Sequence, residues 1–504
     1  MNVSIIPVPK KLDIPEGGGN AVFKALICIP EKWYAAGEAF AAYTAKAGIK
    51  TEICTYAEDG SQDPCCCQDR RCIYVKECDA SEAEGGYRLE INTVGAAVFA
   101  SDISSVNKAF ATLFQILKAD PSNSGNMILP LLNISDAPDS SYRGMMVDLA
   151  RYWHPFEFLL AYVDMCWYYK LSALQLHFTD DQSYTLPGKL YPNLSTSGRS
   201  YSFEEIKRLN KYAAARGIEL IPEIDVPGHN TGFAVGYPEL FGTNGIICQH
   251  ADSIEAVANI FREVCDLFPD SKHIHIGGDE ANLKNWLNCP RCMEYARSIG
   301  IDTEKSTGEE ICDKLYVNFI GQMADAVKSK GRIPIVWEGF PKHMNDFVKR
   351  DIVVMSWENY YQVTPDLLEA GFEIINCSWN PMYIVAPDVK WTPEEISDWS
   401  IFTWRPVHPG SPYIGKTYTC EPTDQVLGGQ LLAWGDRVIS LYEGNETEGA
   451  RVELKLLLER IPYLAQNTWN TDCGLVYNDI CGDALNVSRR IDKIALERVS
   501  GYGW

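Results

Sequence analysis

At 504 residues the chain is longer than one hydrophobic core usually supports, so at least two domains are expected, one of them large. With 46% hydrophobic and 22% charged residues it has an ordinary globular composition, without low-complexity tracts or short-period repeats. A formal net charge of -22 and a pI near 4.8 argue against nucleic acid and anionic membrane as partners, since both need a basic footprint, and favour a neutral ligand.

Residues 1–138 read as a small α/β (α+β) domain. Ala21–Pro30, Lys50–Cys54 and Tyr87–Asn92 alternate like strands of a half-exposed sheet. Helical spacing covers Trp33–Ala47 and Ser101–Leu117, the latter with Ser104 or Ser105 as the expected N-cap. No catalytic constellation appears here. Cys65, Cys66, Cys67, Cys72 and Cys78 cluster in this part, a pattern open between metal, disulfide and free thiols. The chain has 17 cysteines, an odd number scattered over a long sequence, which favours reduced thiols. No charged leader with a long apolar run opens it, so the expectation is a cytoplasmic protein, or a secreted one if a leader was removed. Asn133–Asp139 is a polar, turn-rich linker.

From Tyr142 onward apolar strands alternate with amphipathic helical patterns, which predicts a parallel sheet with helices outside. The strand candidates are Arg143–Asp148, Ala173–Phe178, Glu219–Ile224, His273–Gly277, Ile333–Trp337, Ile352–Ser356, Glu373–Asn376 and Gly429–Trp434. Eight strands close a (β/α)8 TIM barrel. We place it at residues 139–470, followed by a helical extension over 471–504 whose helix lies near Ala484–Arg498.

Chemistry-bearing residues gather where these strands end: Arg151-Tyr-Trp-His, His177-Phe-Thr-Asp180-Asp181, Asp225-Val-Pro-Gly-His229, Asp279-Glu280, Trp337-Glu338, Trp357-Glu358, Trp379 to Tyr383, and Trp434-Gly-Asp436. Barrel enzymes build their sites on this rim. Tryptophans suit the apolar face of a sugar, and carboxylates suit its hydroxyls. Adjacent acids alone mean little, as Glu58-Asp59 and Glu309-Glu310 show. Asp279-Glu280, however, follows a short alternating strand and a Gly277-Gly278 turn, with Glu280–Leu287 read as a helix. Glycosidic cleavage ordinarily needs two carboxyl groups on opposite sides of the sugar. Two neighbours on one turn suit instead a mechanism in which the substrate's own group attacks while one acid holds that group and the other donates the proton.

Arg143-Gly-Met-Met-Val-Asp-Leu-Ala-Arg151, the Asp180-Asp181 strand end, Asp225-Val-Pro-Gly-His229, His275-Ile-Gly-Gly-Asp279-Glu280 and Trp434-Gly-Asp436 together resemble family 20 glycoside hydrolases, the β-N-acetylhexosaminidases, over about residues 1–470. The resemblance implies a retaining exo-acting enzyme that releases terminal β-linked N-acetylglucosamine or N-acetylgalactosamine through an oxazolinium intermediate, without metal or other cofactor. It makes Glu280 the general acid and base, Asp279 the acceptor of the acetamido N–H, and Tyr383 the donor to the acetamido oxygen. Asp180 and His229 support Glu280, and Arg151 binds hydroxyls. Trp337, Trp357 and Trp434 wall the ring and acetamido group, and Asp436 takes outer hydroxyls. The family usually places an acid two residues after the tyrosine, where this chain has Val385; Trp399 and Trp404 are further candidates for lining the site.

His177 and His275, inside strands, read as satisfied barrel residues rather than ligands. Cys289-Pro-Arg-Cys292 has C-x2-C spacing but no evident second pair, so packing at a helix end is expected. Two other readings remain: a non-catalytic glycan-binding barrel, and a metal-dependent hydrolase using His177, Asp180 and His229. The expected partner is a glycan or glycoconjugate, acted on by a monomer or homodimer.

Overall fold

The computed structural model describes residues 3–57, 71–79, 85–386, 390–442 and 444–501. Cys65, Cys66 and Cys67 lie outside them. The N-terminal part builds a seven-stranded mixed sheet in the order Lys11–Asp13, Leu132–Asp136, Tyr87–Ile91, Ala96–Ala100, Ile73–Glu77, Leu26–Pro30, Glu52–Tyr56, and a smaller three-stranded sheet. Helices Tyr34–Lys46 and Ile103–Ile116 pack together through Phe40 and Phe110, whose rings stand 4.6 Å apart. The second helix is capped by Asp102, not by Ser104 or Ser105: its Oδ1 accepts from the Ser105 amide at 2.7 Å. A carboxylate also meets the positive end of the helix dipole, which a serine hydroxyl cannot do.

The barrel strands are β1 (Tyr142–Asp148), β2 (Ala173–His177), β3 (Glu219–Glu223), β4 (His273–His275), β5 (Ile333–Trp337), β6 (Val353–Ser356), β7 (Ile374–Asn376) and β8 (Val426–Trp434). Each pairs in parallel with the next, and β8 closes the circle on β1 from Tyr142↔Gly428 to Val147↔Ala433. Closure leaves no exposed edge. The register sets Asp148, His177, Glu223 and His275 side by side at the C-terminal ends of β1 to β4. At β8 the pairing with β7 skips Leu427, and Gly428 takes φ 151° where a Cβ would stand 1.8 Å from the Tyr142 carbonyl oxygen. Because β7 covers only the lower part of β8, a short strand, Tyr383–Val385, runs in parallel along its upper part, with Val385 opposite Trp434.

Helix Glu446–Trp469 closes the barrel, and helix Tyr477–Arg498 packs on Phe156–Tyr168. The two domains meet at a buried charge. Lys170 Nζ lies 3.5 Å from Asp136 Oδ2 and donates to the Tyr87 hydroxyl at 3.0 Å, while Trp469 Nε1 donates to Asp136 Oδ1 at 2.8 Å. No helix among the described residues is long and apolar enough to cross a membrane.

Candidate active site

Strand β4 is only three residues long, and the chain leaves it through Gly277 (φ 71°) and Gly278 (φ 118°). A Cβ at Gly277 would stand 2.0 Å from Asp225 Oδ1, and one at Gly278 would stand 2.7 Å from Val336 Cγ2, so the turn admits only glycine. Its backbone is held from both sides: Gly278 N–H donates to Asp225 Oδ1 at 3.2 Å, and the Tyr316 hydroxyl donates to the Gly278 carbonyl at 2.6 Å. Asp279 and Glu280 follow on the rim. Glu280 has φ 49°, a left-handed backbone that cannot start a helix. The expected helix over Glu280–Leu287 is therefore a short 3-10 helix, Leu283–Asn288, which begins three residues later. His229 shares this conformation, with φ 44°. Each such non-glycine residue costs roughly 1–3 kcal/mol, which the surrounding contacts must offset.

Asp279 and Glu280 face a rim cavity of about 250 Å³ that Arg151, Trp357, Tyr383, Val385, Trp434 and Asp436 also line. Trp379, one of the strand-end tryptophans expected to face a sugar, joins them, as do Lys390, Trp391 and Arg437, to which the sequence pointed in no way. The Trp357 and Tyr383 rings lie nearly parallel, 11° apart, at 5.9 Å. Trp337 does not line the cavity. It ends β5 with its indole turned into the barrel, where Nε1 donates to Glu223 Oε1 at 2.6 Å, so it forms the floor beneath Trp434. Trp399 and Trp404 lie behind the wall. Trp399 packs against Gly429 and donates to the Thr403 carbonyl at 3.1 Å, and Trp404 is fully buried.

Asp279 is buried, and its Oδ1 has no hydrogen-bond partner among the described residues. Burial first, and then the Asp225 carboxylate, push its pKa well above the usual range for an aspartate. Glu280, half exposed, stands with Oε2 3.6 Å from His229 Nε2. His229 Nδ1 in turn lies 3.2 Å from Asp180 Oδ1. Burial works against a charge on His229, but Asp225, Asp180 and Asp279 outweigh it and raise its pKa to about 11. The imidazole is therefore a cation through the neutral range.

Asp180 is the hub beneath this pair. Its Oδ2 receives Arg151 Nη2 at 2.9 Å and His177 Nε2 at 2.9 Å, and the surrounding cations overcome burial to hold it ionised. His177 Nδ1 reaches Glu223 Oε2 at 3.0 Å. Gln175 donates to that oxygen at 2.7 Å, Gln430 donates to Gln175 at 2.7 Å, and Tyr142 donates to Gln430 at 2.5 Å. A polar chain thus runs from the barrel interior to Glu280. The same groups weigh against a metal at His177, Asp180 and His229, because the Arg151 guanidinium already occupies the cation's place.

Arg151 is fixed by three acids: Asp148 Oδ2 at 3.2 Å, Asp180 Oδ2 at 2.9 Å and Asp436 Oδ1 at 3.4 Å. Asp148 also accepts from the amides of Ala150 and Arg151 through Oδ1 and of Gly435 through Oδ2, which ties the loop after β1 to the loop after β8. Asp148 and Glu223 escaped the sequence reading. Their signal was an acid at the end of an otherwise apolar strand, which is costly to bury without a partner.

Residues 141–469 match the model of the glycosyl hydrolase family 20 catalytic domain, and residues 2–137 match that of glycosyl hydrolase family 20, domain 2. A beta-hexosaminidase of Akkermansia muciniphila is 32% identical over 283 residues, covering 50% of this chain and 55% of the relative. One of Vibrio furnissii is 30% identical over 380 residues, covering 68% and 58%. The chain thus spans little more than half the length of these relatives. Among solved structures, a β-N-acetylhexosaminidase from Bacteroides fragilis superposes with a TM-score of 0.74 at 23% identity over 97% of this chain and 96% of that one. An exo-β-N-acetylglucosaminidase from Vibrio harveyi gives 0.74 at 20% identity over 98% and 78%. With both domain models matched in order along the chain, and the barrel they imply observed, the chain belongs to glycosyl hydrolase family 20.

Proposed function

We propose that the chain is a retaining exo-β-N-acetylhexosaminidase that releases terminal, non-reducing β-linked N-acetylglucosamine or N-acetylgalactosamine from glycans or glycoconjugates. The observation that carries this reading is Asp279, a buried acid on the cavity wall with an unpartnered oxygen, next to the half-exposed Glu280. A buried acceptor of this kind needs a donor. The 2-acetamido N–H supplies one, and it becomes more positive as the acetamido oxygen attacks the anomeric carbon. The contact therefore strengthens toward the transition state, which is the condition for lowering the barrier.

Glu280 gives its proton to the departing glycosidic oxygen as the C–O bond breaks. It then takes a proton from the water that opens the cyclic intermediate, so the anomeric carbon is inverted twice and its configuration retained. His229 and Asp180 hold Glu280 toward that oxygen, Tyr383 donates to the acetamido oxygen, and Arg151 and Asp436 take ring hydroxyls. Trp357, Trp379 and Trp434 supply apolar faces around the ring.

Glu280→Gln is expected to lower kcat on an N-acetyl-β-glucosaminide by about 10²–10⁴-fold with unchanged circular dichroism. Activity within tenfold of the wild type removes the role. A thiazoline analogue of the cyclised intermediate should inhibit competitively, and an enzyme indifferent to it does not use the acetamido group.

A further inference from the structure

We propose that Cys248, Cys289 and Cys292 hold a zinc ion that clamps the loop after β3 to the loop after β4, outside the sugar cavity. The sequence offered Cys289-x2-Cys292 without a partner; the fold brings the third cysteine, from the segment before helix Ala251–Leu267, onto the same spot. Cys248 Sγ lies 3.6 Å from Cys289 Sγ and 3.6 Å from Cys292 Sγ, and the three sulfurs all lie within 4.8 Å of one another. A disulfide needs sulfurs about 2.05 Å apart. Two thiolates on one tetrahedral zinc, each about 2.3 Å from it, stand about 3.8 Å apart. The observed spacing matches the second geometry twice over, at a single cysteine.

The surroundings suit thiolate ligands. The Gln249 amide lies 3.1 Å from Cys292 Sγ as a donor, the usual support behind a metal-bound sulfur. Arg291, between the two cysteines of the pair, places its cation nearby and is held by the Glu239 carbonyl at 3.0 Å and by His250 Nδ1 at 3.2 Å. Among the described residues no fourth His, Cys, Asp or Glu joins the group, so water completes the tetrahedron on the side of Cys289, the least buried of the three.

The clamp has a mechanical target. Trp286 Nε1 donates to the Ile247 carbonyl at 2.9 Å, Asn285 to the Asn244 carbonyl at 2.6 Å, and the Ile247 amide to the Pro227 carbonyl at 2.9 Å. These bonds join the segments that carry His229 and Glu280, and the zinc adds three covalent-strength tethers to them.

The full chain, purified with reductant and passed into metal-free buffer, should contain one zinc per chain by elemental mass spectrometry. Cys248→Ser and Cys292→Ser should each lose it. Replacement by cobalt in the wild type should produce a thiolate-to-cobalt charge-transfer band in the near ultraviolet. Stripping zinc from the wild type with a chelator should speed amide exchange in residues 244–249 and 283–292 and leave β1 to β3 unchanged. The proposal is overturned if the wild type holds no zinc after incubation with an equivalent of zinc salt while three thiols titrate freely. It is equally overturned if intact mass shows Cys248 in a disulfide with Cys289 or Cys292.

Discussion

Val385 is the cavity residue whose chemistry is least expected. It sits two positions beyond Tyr383 on the same strand, so both side chains point the same way and both line the cavity, while Ile384 between them is buried. A valine offers no hydrogen bond to a sugar hydroxyl. The wild type should therefore turn over β-N-acetylglucosaminide and β-N-acetylgalactosaminide with comparable kcat/KM, and Val385→Asp should separate them; identical ratios in both proteins would show that the position does not read the sugar's epimeric hydroxyl. Asp225 acts on Asp279 by charge. Burial first raises Asp225 to about 6, and its carboxylate in turn raises Asp279. A raised carboxyl pKa means ionisation is lost early as pH falls, and an ionised Asp279 is the productive form. Asp225→Asn, which keeps an oxygen for the Gly278 amide, should move the acidic limb of kcat/KM to lower pH. An unmoved limb would detach Asp225 from the reaction. The residues at contiguous strand ends, such as Asp279-Glu280 and Trp434-Gly-Asp436, were legible because the motif itself fixes their rim position. Glu223 and Asp148 were not, because their roles arise from cross-strand register. Trp337, Trp399 and Trp404 show the complementary limit: the sequence gives an indole near the rim but not the direction it faces.

At the scale of elements, β8 has the most constrained backbone. Gly428 sits where the strand shifts register against β7 and faces the Tyr142 carbonyl, so an alanine there must displace β1 or β8. Gly428→Ala should cost about 1–3 kcal/mol from overpacking alone, read as a lowered denaturation midpoint with an unchanged slope; an unchanged midpoint would mean the closure relaxes freely. Period-2 and helical spacing marked all eight barrel strands because buried parallel strands are apolar runs bounded by polar loops. The Leu283–Asn288 segment misled the same method: its spacing is helical, but the left-handed backbone at Glu280, set by the glycine turn before it, delays the start.

For the whole molecule, the junction between the domains rests on Lys170 and Asp136, both buried and joined through Tyr87 and Trp469. Desolvation pulls Lys170 down to about 8 despite its partner. Removing one member of a buried pair leaves the other uncompensated, at about 3–5 kcal/mol. Asp136→Leu should therefore lower Tm by several degrees and leave KM unchanged, since the pair stands away from the sugar cavity. A changed KM with unchanged Tm would reverse that assignment. This junction could not be read from the sequence, because its residues come from two strands, a helix and a turn far apart in the chain with no shared motif.

The side-by-side placement of Asp148, His177, Glu223 and His275 bears on how this barrel could be recombined. A core of aliphatic layers allows strands to be exchanged between relatives wherever volumes match. Here β1 to β4 form one electrostatic block: a chimera that imports β2 without β3 strands Glu223 without His177, and one that imports β1 alone leaves Arg151 short of Asp148. Crossover points within β1 to β4 therefore break the block, and one placed after β4 preserves it only if the incoming β5 keeps Trp337, whose indole donates to Glu223.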